Sequence, residues 1–138
     1  MLKLIHRFFP YILIYTDDER MGETFDAFNF GILIIIQERE KENIGLLKHE
    51  LKHVEQFYRT LGLGGILYRV SARYRFYCEV EAYVEQIKYS GYTKLYQLNP
   101  IVDLLYKGYN LDRLKLTEAD IQATLINFDE EIAKVKWL

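Results

Sequence analysis

Residues 49–53 read His-Glu-Leu-Lys-His, an H-E-x-x-H pattern on which our expectations for fold and function depend. Apolar residues recur around it at helical spacing, at Leu46, Leu47, Val54, Phe57 and Tyr58. On a helix, residues four positions apart lie on one face, about one turn from each other. The imidazoles of His49 and His53 can therefore bind one metal ion without any bend in the backbone.

Glu50 is the third informative residue of this motif. It is turned about 100° around the helix axis from His49. Its carboxylate can therefore reach a water molecule on the metal rather than the metal itself, which is the position of a metallopeptidase general base. A surface helix with two incidental histidines is the alternative interpretation. The chain has only three histidines, and because two of them form this pair we favour the metal site.

A third metal ligand has to come from outside the motif, because a catalytic zinc usually has three protein ligands and a water. The long-helix arrangement that adds a glycine and a third histidine is excluded, since Gln56 and Arg59 occupy those positions. His6 is the one other histidine in the chain. We therefore expect a carboxylate to complete the site.

The second predicted helix offers three carboxylates, Glu79, Glu81 and Glu85. Glu79 shares a helix face with Ala72 and Ala82, whose small side chains let two helices approach closely. Glu81 points about 200° away from Glu79 around the axis, and we expect Glu85 to be solvent-exposed. Glu79 is thus the predicted third ligand, and Glu81 is the alternative.

The motif, followed after 25 intervening residues by Glu79-Val-Glu-Ala-Tyr83, resembles the gluzincin class of zinc metallopeptidases. The resemblance implies that His49, His53 and Glu79 bind zinc and that Glu50 is the general base. In that class an Asp or Asn occupies the place of Tyr83 and hydrogen-bonds a ligand histidine. The residues after His53 are also similar to H-E-x-x-H-V-x-Q forms in small phage and bacterial metallopeptidase-like proteins.

The same resemblance implies how a substrate would bind. In this class a strand precedes the motif helix and forms the upper edge of the cleft, where a substrate strand can pair. Gly31–Gln37 has that position, although a buried core strand explains its hydrophobicity equally well. A donor for the oxyanion is also needed, and Tyr83 and Tyr89 are the first candidates.

Hydrophobic patterning predicts one α+β domain over residues 1–138, mostly helical, with a zincin-like arrangement implied by the resemblance. A small N-terminal sheet would pack on the motif helix, and a second helix would bear the glutamate. The strands are predicted at Phe8–Tyr15 and Gly31–Gln37, the latter buried on both faces. The helices are predicted over 43–60, 66–89, 92–98, 101–106 and from a capping box at Thr117 and Asp120 through Val135.

Composition narrows the range of partners. A formal net charge of −2 disfavours a nucleic-acid partner, and the single cysteine, Cys78, excludes an internal disulfide and a Cys-rich zinc site. No secretory signal or membrane-spanning run is evident, so we expect a cytoplasmic protein without a membrane partner. The leading hypothesis is a Zn²⁺-dependent metallopeptidase acting on a peptide or protein. The alternative is a catalytically inactive zincin-like protein with a structural zinc or a partner-binding role.

Overall fold

A computed structural model shows an α+β architecture in which a small sheet packs against a set of helices. The structure describes residues 2–4, 9–18, 20 and 26–138. The predicted residues His6 and Phe8 lie outside these ranges. The strands are β1 (Leu2–Leu4), β2 (Pro10–Thr16), β3 (Ala27–Phe30) and β4 (Leu33–Gln37).

The sheet has the strand order β1-β2-β4-β3. β2 pairs in parallel with β4, whereas β3 and β4 form an antiparallel hairpin. The predicted strand Gly31–Gln37 begins later, at Leu33, because Gly31 lies in the hairpin turn with a φ of +60°. The expectation that this strand forms an open edge is wrong. β4 has a neighbour on each side, and the edge belongs to β3.

One face of the sheet packs on the motif helix and the other is partly exposed. Leu13, Ile34 and Ile36 are buried against Val54 of that helix. On the opposite face, Phe30 remains 68% exposed. The prediction that the Ile/Leu run is buried on both faces is therefore only half correct, since its outer residues are just half-buried.

The helices are α1 (Ile44–Arg59), α2 (Gly64–Val70), α3 (Ala72–Ser90), α4 (Asn99–Lys107), α5 (Glu118–Asn127) and α6 (Glu130–Ala133). Short 3₁₀ turns occur at Glu38–Glu40, Leu95–Leu98 and Asp112–Leu114. α1 begins as predicted, because the Asn43 side chain accepts a hydrogen bond from the Leu46 amide at 3.0 Å.

The predicted second helix is two helices. Ser71 has an extended backbone, and its hydroxyl accepts a hydrogen bond from the Tyr74 amide at 3.1 Å, so it ends α2 and caps α3. α2 begins at Gly64, two residues before the predicted start of the second helix at residue 66. α3 ends at Ser90. Gly91 follows it with a φ of +68°, the left-handed conformation that commonly closes a helix.

Two boundaries near the C-terminus also differ from prediction. α4 begins at Asn99 rather than at the predicted residue 101, because proline is favoured in the first turn of a helix. The predicted last helix is interrupted at Asp129, whose side chain caps α6. The capping box at Thr117 and Asp120 is confirmed by both of its hydrogen bonds, of 2.9 and 3.1 Å.

α1 and α3 pack antiparallel, and they approach each other closely at Gly45. A Cβ at Gly45 would lie 2.2 Å from the Ser90 hydroxyl and 3.0 Å from the Gln86 carbonyl. A second hydrophobic cluster joins α3 to the C-terminal helices, with Leu98, Leu105 and further residues buried. Among the described residues, the structure contains no helix with the length and apolar character needed to cross a membrane.

Candidate metal centre

His49, His53 and Glu79 converge at the interface between α1 and α3. His49 Nε2 lies 3.2 Å from His53 Nε2 and 3.6 Å from Glu79 Oε2, and His53 Nε2 lies 3.4 Å from Glu79 Oε1. Glu79 is only 3% exposed and the two histidines are buried or nearly so. The interface thus brings together three groups, each of which can offer one ligand atom to a single ion.

The two histidine nitrogens are spaced as two ligands of a small tetrahedral ion would be. With zinc–ligand bonds of about 2.0–2.1 Å, the ligand atoms of a tetrahedral site are roughly 3.3–3.4 Å apart. The two Nε2 atoms, 3.2 Å apart, are close to this value, and they lie 3.6 and 3.4 Å from the two different oxygens of Glu79. In addition, Glu79 Oε2 is buried without a hydrogen-bond partner among the described residues. A buried carboxylate oxygen without a donor is costly, and a cation at this point would satisfy it.

The cluster is strongly coupled electrostatically. Burial disfavours the charged form of His53, but the Glu79 carboxylate outweighs it and raises the His53 pKa to about 9. Burial likewise opposes ionisation of Glu79, but His53 lowers the Glu79 pKa to about 2. Burial and the charge of His53 lower the pKa of His49 to about 3. In the metal-free protein the cluster is therefore an imidazolium–carboxylate pair beside a neutral imidazole.

Glu50 lines the same cleft as the three clustered residues but does not belong to the cluster itself. It is 6% exposed, and burial raises its pKa to about 7, with the charge of His53 opposing the shift. A carboxyl group with this pKa can accept and return a proton near neutral pH. The backbone around it is tied to the sheet, because the Asn29 side chain donates to the Glu50 carbonyl at 3.4 Å.

A chain of hydrogen bonds fixes the ring of His53. Gln56 Oε1 lies 2.9 Å from His53 Nδ1, and Gln56 Nε2 donates to the Cys78 carbonyl at 3.0 Å and to Glu81 Oε1 at 2.9 Å. Arg59 donates to the same Glu81 oxygen at 2.7 Å. Glu81, the alternative third ligand, thus points away from the cluster and supports it indirectly.

The surroundings of His49 are different. Tyr83 packs edge-on against its ring, with centroids 4.4 Å apart, and the Tyr83 and Tyr109 hydroxyls share a 2.6 Å hydrogen bond. His49 Nδ1 is buried without a partner of good geometry among the described residues, although Gln86 is near enough to favour the protonated ring. Tyr89 is 52% exposed and lies under Lys48, so it does not face the cleft.

Tyr68 is a residue of the centre that the sequence did not reveal. Its hydroxyl donates to Glu79 Oε1 at 2.5 Å, and burial together with that carboxylate raises its pKa, so it remains a donor. On one continuous helix, Tyr68 and Glu79 would be about 16 Å apart along the axis. The break at Ser71 folds α2 back and makes the contact. The signal that could have predicted it is the capping serine ahead of the second helix.

A cleft of about 530 Å³ opens beside the cluster. The edge strand β3 forms one wall, and the loop after α1 together with α2 forms another. His49, Glu50, His53 and Glu79 all line it, and so does Tyr109. The cluster is therefore both buried between helices and reachable from one side.

Comparison with known proteins adds no assignment. No protein-family model matches the chain, and neither the curated proteins nor the solved structures gave a match. The geometry of the cleft and its residues is therefore the basis for any function.

Proposed function

We propose that this chain is a zinc-dependent metallopeptidase with a zincin-like, gluzincin-type site. The observation that carries the proposal is the convergence of His49, His53 and Glu79 within one cleft that also contains Glu50. Two imidazole nitrogens and one carboxylate are the donor set of many catalytic zinc sites, which leave a fourth position open. His49, His53 and Glu79 would hold the zinc.

The chain's own residues suit the hydrolysis of an amide. A zinc ion held there would supply Lewis acidity and a water of lowered pKa. Glu50 would take the proton of the attacking water and then give it to the leaving amine, a role open to a buried carboxyl group that lines this cleft. Tyr109 lines the cleft and has a protonated hydroxyl, since burial and then the Glu79 charge raise its pKa. It is our candidate oxyanion donor.

The edge strand β3 is the proposed binding site for the substrate backbone. β3 pairs with β4 along one side, and its residues Ala27–Phe30 line the cleft. An extended peptide can add to such an edge through main-chain hydrogen bonds. This assignment replaces Gly31–Gln37, whose strand β4 is enclosed by its neighbours.

Zinc analysis and the Glu50→Gln variant test the proposal. We expect about one zinc per purified chain, and hydrolysis of a mixture of fluorescent unstructured peptides. Glu50→Gln should keep the zinc and lose hydrolysis, because the amide cannot accept the proton. Glu55→Gln, on the same helix but ion-paired to Lys52 at 2.9 Å, is the matched control and should keep both.

Three results would contradict the proposal. A chain that neither retains nor takes up zinc has no such site. Unchanged hydrolysis by Glu50→Gln would remove the role given to Glu50. A wild-type chain that holds zinc without hydrolysing any peptide would favour the alternative, an inactive zincin-like protein with a structural metal. Within the described part of the chain, His49 Nδ1 has no hydrogen bond of good geometry, and this observation favours the alternative.

A further inference from the structure

Exposed apolar side chains border the mouth of the cleft. They belong to the loop after α1 and to α2, and we call them the apolar tip: Leu61, Leu63, Ile66, Leu67 and Val70. Leu61 is 91% exposed and Val70 is 71% exposed, although residues of these types are usually buried. Four of the five recur at i, i+3, i+4 and i+7, so they form one outward face of α2.

The tip is continuous with the sheet through the ring of Phe57. A Cβ added at Gly62 would lie 3.3 Å from this ring, and one added at Gly31 would lie 3.4 Å from it. The loop after α1 and the β3–β4 turn therefore meet over the same side chain. Phe30, next to Gly31 and also exposed, extends the apolar surface along the cleft mouth.

The segment that carries the apolar tip is basic in sequence. No Asp or Glu occurs between Thr60 and Cys78, whereas Arg69 and Arg73 lie within that segment and are exposed. Residues 27–37 carry no charge at all. The chain as a whole is acidic, with a net charge of −2, so the positive border of the tip is a local feature.

We propose that the apolar tip inserts into the interface of an anionic lipid bilayer, with Arg69 and Arg73 at the level of the headgroups. Projecting apolar side chains flanked by basic residues have the chemistry of interfacial membrane binding. A second copy of the chain fits less well, because a twofold contact through the tip would bring the arginines of both copies together. This proposal replaces the expectation that the protein has no membrane partner.

The location of the tip has a consequence for the cleft. Insertion of Leu61 and Ile66 would hold the cleft mouth against the headgroups. If the chain is a peptidase, which is our proposed function, its substrate would be a peptide segment at a membrane surface. The binding itself does not depend on zinc.

Sedimentation with lipid vesicles tests the proposal. The full chain should bind vesicles of phosphatidylcholine mixed with phosphatidylglycerol more tightly than vesicles of phosphatidylcholine alone. The double substitution Leu61→Asn and Ile66→Asn should weaken binding at least roughly tenfold, because two apolar side chains no longer insert. Leu104→Asn replaces a leucine on α4 that is 49% exposed, and as the matched control it should leave binding unchanged.

The arginines provide a second, independent variant. Arg69→Gln with Arg73→Gln should weaken binding to the mixed vesicles by roughly 20- to 30-fold at low salt and abolish the preference for anionic lipid. Equal binding by the wild type and the Leu61/Ile66 variant, or no binding to mixed vesicles, would overturn the proposal. Self-association that the same variant removes would assign the tip to a second copy, and would overturn it too.

Vesicle binding and hydrolysis, measured on the same chains, test the two proposals separately. Vesicle binding by a Glu50→Gln chain should equal that of the wild type, because Glu50 is buried and takes no part in the tip. In the wild-type chain, vesicle binding without any hydrolysis would overturn only the proposed function, whereas hydrolysis without vesicle binding would overturn only the membrane proposal.

Discussion

The two histidines of the motif lie one helical turn apart, yet their surroundings differ. His53 is oriented by hydrogen bonds through Gln56, which is held in turn by Glu81 and the Cys78 carbonyl. His49 is oriented by packing against the ring of Tyr83 and has no well-formed hydrogen bond at Nδ1 among the described residues. One histidine of the proposed centre is thus oriented by polar contacts and the other by packing.

The largest effect should come from the carboxylate that faces both histidines. Glu79→Ala removes the proposed third ligand, so zinc affinity should fall by more than about 100-fold. Glu81→Ala, two residues away, removes only support for Gln56, and should cost at most about 100-fold. Competition with a metal chelator measures both. The reverse order would show that the ligand is misassigned.

Gln56→Leu removes the hydrogen bond that orients His53. The leucine fills a similar volume but cannot bind His53 Nδ1, and removing such a partner typically lowers metal affinity by about 10- to 100-fold. It also leaves the Cys78 carbonyl without this donor, so unfolding free energy should fall by about 1–3 kcal/mol. Zinc competition and urea unfolding measure the two effects. An unchanged zinc affinity would mean that packing alone orients His53.

Tyr83→Phe tests the packing against His49, and its effect on zinc affinity should be smaller than that of Gln56→Leu. The ring against His49 remains, so zinc affinity should stay within about threefold of the wild type, as expected if shape orients this ligand. The Tyr109 hydroxyl loses its partner, which should lower the unfolding free energy by about 1–3 kcal/mol. A tenfold or greater loss of zinc affinity would show that the hydroxyl pair contributes to the centre.

The sequence predicted the residues of the cluster because they depend on regular helices. His49 and His53 are related by one turn of α1, and Glu79 could be chosen over Glu81 from its helix face. Both inferences need only helical periodicity and the small residues that let α1 and α3 approach. The structure brings these side chains together, while zinc binding itself remains a proposal.

Features that depend on breaks and on pairing order could not be predicted in the same way. The hydrophobic run before α1 indicated a strand, but composition does not specify which strands pair with it. In the structure β3 rather than β4 lies at the edge of the sheet. The contact between Tyr68 and Glu79 requires the chain to reverse between α2 and α3. Periodicity continues across that break, so a single helix was the expected but wrong interpretation.

Ser71→Ala should have the smallest effect, and it tests whether this break matters to the centre. Loss of the cap should lower the unfolding free energy by about 1 kcal/mol. Because the break places Tyr68 over Glu79 Oε1, zinc affinity should also fall a few-fold. Thr117→Ala removes a similar cap from α5 and is the matched control, with the same loss of stability and no change in zinc affinity. If both variants bind zinc equally, the α2–α3 break has no part in holding Glu79. The hydrogen bonds that support the centre would then include those of Gln56 but not that of Tyr68.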